Sequence, residues 1–393
     1  METKAIVEPK QTVLLLQGGG ALGAYQAGVF EALERNGHQP DWVVGTSIGA
    51  INAALIAGNP PERRMEHLFE FWARIGKDWS AGAFGDPVEE VSASGMLHRW
   101  NAMAATVFGV PAFFHPRLGS VFGLGLPVHA DEASFYDTSA LRETLLELID
   151  FDFLVKSPVR LSVGAVNVET SKIRYFDSRH DKIRVDHILA SGALPPAFAP
   201  VEIDGQRYWD GGICSNTPLE WVLRDTPRRH SLCFLATLWP ERDSPPTTLA
   251  DVLRRAKEVQ YASRVDTLAH LEQTLHRLRH DILLLARRLP ETDRNDPELR
   301  EIIGNGCRSV YHLVRLQAPR LEAEDHAKDI DFTPSRIVQR WTAGCLDTLR
   351  ALAAQPWLAP IGPEEGVVLH DFTSLPPMPP QTASAEPLRG STV

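Results

Sequence analysis

Cysteine is scarce in this chain. Its 393 residues include four, Cys214, Cys233, Cys307 and Cys345. None are spaced as C-x-x-C and none stand near a His-x-x-x-His pair, which argues against a disulfide framework and against a structural metal site. They read as buried free thiols, which suits a reducing compartment, and the chain reads as cytoplasmic. Positive charge is also in deficit, with 40 Lys and Arg against 50 Asp and Glu and a formal net charge of -10. Nucleic acid selects clustered positive charge, so it is not an expected partner. Missing too is any apolar run long enough to span a membrane. Residues 13–29 have the hydropathy of a signal-peptide core, but five glycines interrupt them and no clean cleavage site follows. Peripheral contact with a membrane surface stays open, because apolar contacts can provide it.

What is present describes a globular protein. Hydrophobic residues make up 44% and charged residues 23%. The length suggests one large domain with an extension, or two domains, and suffices for an enclosed pocket. Residues 12–17 (TVLLLQ) form a short continuous apolar run, as in a strand buried on both faces. Residues 24–36 carry helical periodicity and stop at Asn36-Gly37. A second short strand over 41–44 and a second helix over 46–57 follow. Strand, helix, strand, helix at this spacing implies a parallel sheet with crossover helices. A helix is expected at 139–148 and neighbouring strands at 160–167 and 173–176. Strands at 201–203 and 206–209 flank Asp204-Gly205, a hairpin turn that delivers Asp210 to a strand end.

Three motifs carry chemistry. In G45-T-S-I-G49, Ser47 follows a buried strand and opens a helix, with Gly45 and Gly49 two residues to either side. That is a nucleophile elbow: the turn is sharp, its flanks lack side chains, and the hydroxyl stands at a helix N-terminus that favours developing negative charge. The plain alternative is a tight turn with a serine cap. In G18-G-G-A-L-G23, a glycine-rich turn between strand and helix aims backbone N–H groups at one point, which suits an anion or an ester oxyanion. The same letters fit a dinucleotide fingerprint, but that requires an acidic residue at the end of the second strand. Here Asp41 lies at the start of that strand and the serine elbow stands at its end. In D210-G-G212, Gly211 and Gly212 let backbone approach a carboxylate closely. Alone it would read as a surface turn; its weight comes from the other two.

Together, in this chain order, the motifs resemble those of the patatin-like phospholipase family, over residues 11–240. The resemblance implies a three-layer α/β/α sandwich with a mostly parallel sheet, a Ser-Asp dyad without histidine, and hydrolysis of lipid acyl esters without cofactor or metal. By position, Ser47 is the nucleophile and Asp210 the base. Gly18, Gly19, Gly20 and Ala21 form the oxyanion hole, and Gly23, Gly45, Gly49, Gly211 and Gly212 support the turns. Many members carry Lys or Arg before the last glycine of the first motif; this chain has Leu22. A carboxylate is a weak base unless burial raises its pKa, so Asp210 is expected to be shielded and to touch Ser47. His115, His129 and His187 would be needed for a triad, and none sits in a motif.

Residues 82–134 are rich in Gly, Pro, Phe and His without clear periodicity, and read as a lid or acyl-binding insertion, or as extra core. Three prolines in 240–246 mark a boundary. Beyond it, 247–371 reads as a mainly helical extension, which resembles one carried by some bacterial members of the family. It contains leucines and an isoleucine at 268, 271, 275, 278, 282, 285 and 289, a heptad seam. A helical hairpin packed on the enzyme domain accounts for it better than a coiled coil, although homo-oligomers through these helices fit too. Residues 372–393 read as a disordered tail. The competing functions are a regulatory or interaction protein on a patatin scaffold and a nucleotide-dependent oxidoreductase. The intact Ser47, Asp210 and glycine turn weigh against the first, and the missing acidic residue against the second.

Overall fold

The computed structural model describes residues 5–83, 109–110, 112–117, 129, 132–322 and 324–372. In chain order it gives β1 (Gln11–Leu16), a 3-10 turn (Gly20–Gly23), α1 (Ala24–Arg35), β2 (Trp42–Gly45), α2 (Ile48–Ala57) and α3 (Pro61–Ala83). After the short pair β3 (His115–Pro116) and β4 (Tyr136–Asp137) come α4 (Ser139–Leu148), β5 (Arg160–Asn167), β6 (Ile173–Asp177), α5 (Val185–Gly192), β7 (Val201–Ile203) and β8 (Gln206–Asp210). Then follow α6 (Leu219–Leu223), β9 (Ser231–Thr237), α7 (Leu249–Tyr261), α8 (Val265–Arg288), α9 (Pro297–Gly304), β10 (Tyr311–Gln317), α10 (Pro334–Ala354) and β11 (Val367–Asp371).

Nine strands form one sheet, ordered β11-β10-β9-β1-β2-β5-β8-β7, with β6 also paired to β5. The run from β11 to β5 is parallel; β6 and β8 lie antiparallel to β5, and β7 to β8. Alternate side chains of β1 serve opposite layers. Leu14 and Leu16 join a core with α1 and α2, while Val13 and Leu15 join a second core with α6 and the start of α8. A strand buried on both faces must be apolar throughout, which is why TVLLLQ has no polar face. The α/β/α sandwich is thus a property of this sheet. At the turn between β7 and β8, Asp204 and Gly205 both take positive φ, at 50° and 77°, as the Asp-Gly dipeptide requires.

Two features of the C-terminal part were not visible in its sequence. The sheet crosses the break in composition between 11–240 and 247–371. β10 and β11, both beyond the prolines, extend the central sheet in register with β9. Their polar letters hid them: His312 and Arg315 are buried in β10, and Arg315 is held there by Asp266 at 3.0 Å and by Asp371. The seam of α8 packs on the second core only at Leu268, and most of it faces outward. Leu271, Leu275, Leu278 and Leu285 are exposed, and the opposite face, with Val265, Ala269, Glu272 and His276, is buried. That polar face can be covered because Arg228 pairs with Glu272 at 3.3 Å and Arg279 also bonds it. The α10 helix packs against α1 at close range. A Cβ on Gly28 would meet the Trp341 carbonyl oxygen at 1.9 Å. Most of residues 82–134, and the tail from 373, lie outside the described residues.

Candidate active site

The C-terminal ends of β1 and β2 carry the first two motifs. The chain turns from β2 into α2 through Ser47, whose φ of 57° and ψ of -126° lie in a region most residues avoid. Both flanking glycines are required by space. A Cβ on Gly45 would meet the Gly49 carbonyl oxygen at 2.2 Å, and one on Gly49 would meet the Leu16 carbonyl oxygen at 2.2 Å. The Ser47 amide donates to Ser191 Oγ at 3.1 Å, and Ser191 in turn donates to the Gly164 carbonyl at 2.7 Å. Ser191 on α5 therefore ties the strained elbow to β5.

The register of β8 brings the third motif to the same place. Gly45 pairs with Val163 of β5, and Asp210 pairs with Ala165, two residues further along the same strand. Asp210 is 2% exposed. Its carboxylate accepts a hydrogen bond from the Gly212 amide at 2.7 Å and lies beside the Ser47 side chain. Burial pushes its pKa up to about 7, with Ser47 and the Gly212 amide pulling weakly the other way. The shielded position expected from the sequence, beside Ser47, is therefore present.

Gly18 to Ala21 lie beside this pair. The amides of Gly19, Gly20 and Ala21 precede or begin the 3-10 turn, where a helix offers its N–H groups no internal acceptor. Several residues outside the motifs fix the turn. Trp239 Nε1 and Asn216 Nδ2 donate to the Gly18 carbonyl at 2.8 and 3.1 Å. Asn216 Nδ2 and Gln17 Nε2 both donate to the Tyr261 carbonyl at 3.0 Å. Gly20 takes a φ of 53°, and a Cβ there would meet the Asp329 carbonyl oxygen at 2.2 Å. Nothing in the sequence marks Asn216, Trp239, Tyr261 or Asp329 as site residues. Asn216, six residues beyond Asp210, is the only one near a motif.

Ser47, Asp210 and the glycine turn open into a cavity of about 170 Å³. Its walls are apolar and include Phe113, Phe114, Leu141, Leu189, Phe198 and Phe332. The aromatics pack edge-on, Phe113 to Phe114 at 5.6 Å and Phe114 to Phe198 at 5.6 Å. Phe113 and Phe114 belong to the segment read as a lid. None of the histidines weighed for a triad lines this cavity. His187 is buried, its Nδ1 accepting from the Arg184 amide at 2.9 Å as a helix cap, and His115 and His129 are exposed. Among the described residues, no group of three or more His, Cys, Asp or Glu is placed to hold a metal, and no helix is long and apolar enough to cross a membrane.

A family model described as patatin-like phospholipase matches residues 14–223, and a second, described as patatin phospholipase, matches 259–364. A cGAMP-activated phospholipase of Escherichia coli is 26% identical over 242 residues, 55% of this chain and 56% of that protein. The patatin-like phospholipase domain-containing protein 6 of Mus musculus is 28% identical over 207 residues, 53% of this chain and 12% of that one. The chain thus spans little more than half the length of the first of these and far less of the second. Among solved structures, VipD from Legionella pneumophila covers 88% of this chain and 67% of its own, at 15% identity and a TM-score of 0.41. The first family model alone takes in more than half of the sequence, from β1 to the end of α6, and the chain belongs to the patatin-like phospholipase family.

Proposed function

We propose that this chain is a serine lipid acyl hydrolase, of phospholipase A or esterase type, that cleaves carboxylic esters through a Ser47–Asp210 dyad. The observation that carries the reading is the strained Ser47 elbow placed beside a buried carboxylate in one cavity, with burial raising that carboxylate's pKa to about 7. A serine hydroxyl needs a base in contact, and a base is most effective with a pKa near the working pH. Asp210 takes the proton as Ser47 Oγ attacks the ester carbonyl carbon. The oxyanion that forms is held by the amides of Gly19, Gly20 and Ala21 and by the N-terminus of α2. When the tetrahedral adduct collapses, Asp210 passes the proton to the leaving alcohol and an acyl-enzyme remains. Water then attacks the acyl carbon, with Asp210 accepting its proton, and the acid departs as Ser47 recovers its hydrogen.

The test is p-nitrophenyl ester hydrolysis across acyl lengths by the wild type, Ser47→Ala and Asp210→Asn. Both variants should lose about 10³-fold or more in kcat while remaining folded by circular dichroism. A 150 Å³ apolar cavity accommodates a benzene-sized group, so about 170 Å³ suits an acyl stretch of roughly six carbons, and the rate should peak near that length. Activity surviving in both variants would defeat the assignment.

The reading implies an acyl-ester lipid as partner, met at a membrane or lipid surface. The C-terminal helices support a second association, with another copy of the chain. The exposed leucines of α8 keep heptad spacing, which is complementary to itself. The helix is acidic in its first turn, at Asp266, and basic in its last, at Arg287 and Arg288. An antiparallel pair related by a two-fold axis sets unlike ends side by side.

A further inference from the structure

A third side chain reaches the space shared by Ser47 and Asp210. Asn216 is 8% exposed and lines the cavity. Its Nδ2 donates to two carbonyls, those of Gly18 and Tyr261, at 3.1 and 3.0 Å. Two acceptors at one end of the amide identify that end as the NH2 group, so Oδ1 is the opposite end. The Asn216 carbonyl accepts from the Gly18 amide at 3.3 Å, which holds the residue's backbone as well.

Two glycines leave room for the amide oxygen. A Cβ on Gly18 would lie 2.4 Å from Asn216 Oδ1 and 3.1 Å from Ser47 Cβ. A Cβ on Gly212 would lie 2.8 Å from Asn216 Oδ1 and 3.0 Å from Asp210 Oδ1. The amide oxygen is therefore no more than about 5.5 Å from Ser47 Cβ and no more than about 5.8 Å from the carboxylate. Among the described residues, no donor is bonded to it. An amide oxygen accepts hydrogen bonds and is no base. It can hold one hydrogen of a water whose other hydrogen goes to Asp210. Hydrogen bonds of up to about 3.0 Å to each oxygen let one water bridge such a gap.

We propose that Asn216 Oδ1 holds the water that hydrolyses the acyl-enzyme. The proposal rests on the Ser47–Asp210 reading above. The water donates one hydrogen to Asp210 and the other to Asn216, which turns its lone pair toward the acyl carbon on Ser47 Oγ. Its oxygen bonds to that carbon as Asp210 takes the first proton. The adduct collapses, the bond from carbon to Ser47 Oγ breaks, and the proton passes from Asp210 to Oγ. The second hydrogen stays on the product acid. An alcohol has a single O–H and spends it on Asp210, so it gains nothing from Asn216. Water and alcohol share the base, the glycine turn and the acylated serine, and differ in their need for this one side chain.

The experiment follows p-nitrophenyl hexanoate turnover in aqueous methanol and measures p-nitrophenol, hexanoic acid and methyl hexanoate. The wild type should pass the acyl group to water in preference to methanol, mole for mole. Asn216→Ala should raise the ratio of methyl ester to acid by about tenfold or more. Asn216→Asp loses the Nδ2 donor and keeps an oxygen at the same place. It should acylate more slowly yet stay within about threefold of the wild-type ratio. A purely structural Asn216 would move the ratio equally in both variants or in neither, and either result overturns the proposal. So does a wild type that prefers methanol, an outcome that needs no variant to fold. A fluorophosphonate probe run in parallel keeps the two readings apart. Ser47 labelled with the ratio unmoved removes Asn216 and leaves the nucleophile standing, whereas neither labelling nor turnover in the wild type defeats the hydrolase reading, and the proposal with it.

Discussion

At the scale of single residues, the proposed dyad would couple catalysis to stability through one proton on Asp210. As the proposed base it must be ionised, so kcat/KM should rise with pH and reach half its plateau near pH 7. A plateau already reached at pH 5 would show that burial does not govern the base. Stability should move the opposite way. The carboxyl titrates near 3.8 when exposed and near 7 when folded, so the folded state holds its proton more tightly. Its contribution is fully present below about pH 3.8 and is lost as pH rises through 7. At about 1.4 kcal/mol per pH unit the loss approaches roughly 4 kcal/mol, an upper limit because the group is not wholly rigid or dry. Asp210→Asn, which cannot ionise, should therefore melt above the wild type at pH 8, with the gap closing as pH falls toward about 4, a comparison that calorimetry can make directly. Ser47 and the Gly212 amide favour the ionised form and so moderate the loss without reversing it.

At the scale of elements, the sequence was readable where one local rule decided the outcome. The glycines of the elbow, the apolar run of β1, the Asp-Gly hairpin and the helix over 139–148 each follow from short-range sterics or periodicity. The orientation of α8 does not. Its heptad predicts a helix and an apolar stripe, but which face turns inward depends on Arg228, distant in sequence, reaching Glu272, and on β11 receiving the buried side. Sequence periodicity measures the contrast between two faces, not their destination. The outward seam yields a prediction at this scale: Leu278→Glu with Leu285→Glu should shift the chain from dimer to monomer in sedimentation velocity. Turnover of a soluble ester should stay within about twofold, since the seam lies away from the residues that line the cavity. A wild type that sediments as a monomer at all concentrations would remove the proposed self-association.

At the scale of the whole molecule, the three motifs and the residues that make them work come from different parts of the chain. The motifs lie within 18–212 and were legible because each packs several constrained positions into a few residues. Trp239, Tyr261 and Asp329, which brace the glycine turn and wall the cavity, arrive well beyond the third motif and carry no local signature. The strands β10 and β11, later still, complete the sheet. Leu232, Phe234 and Ala236 of β9 are almost wholly buried, and β10 pairs along the full length of that strand. A chain ending at residue 246 keeps Ser47, Asp210 and the glycines. It also exposes β9 as a long apolar edge, the arrangement most prone to pair with other chains. It loses the Tyr261 carbonyl that Asn216 and Gln17 hold, and the Asp329 backbone against Gly20. Such a fragment should aggregate on expression, and any soluble fraction should react with a serine probe at least about a hundredfold more slowly than the full chain. A soluble, fully reactive fragment would mean that the conserved-looking motifs suffice and that the composition break near 240 is a true domain boundary. The geometry argues for the other outcome, because the glycine turn proposed to hold the oxyanion is braced from beyond that break.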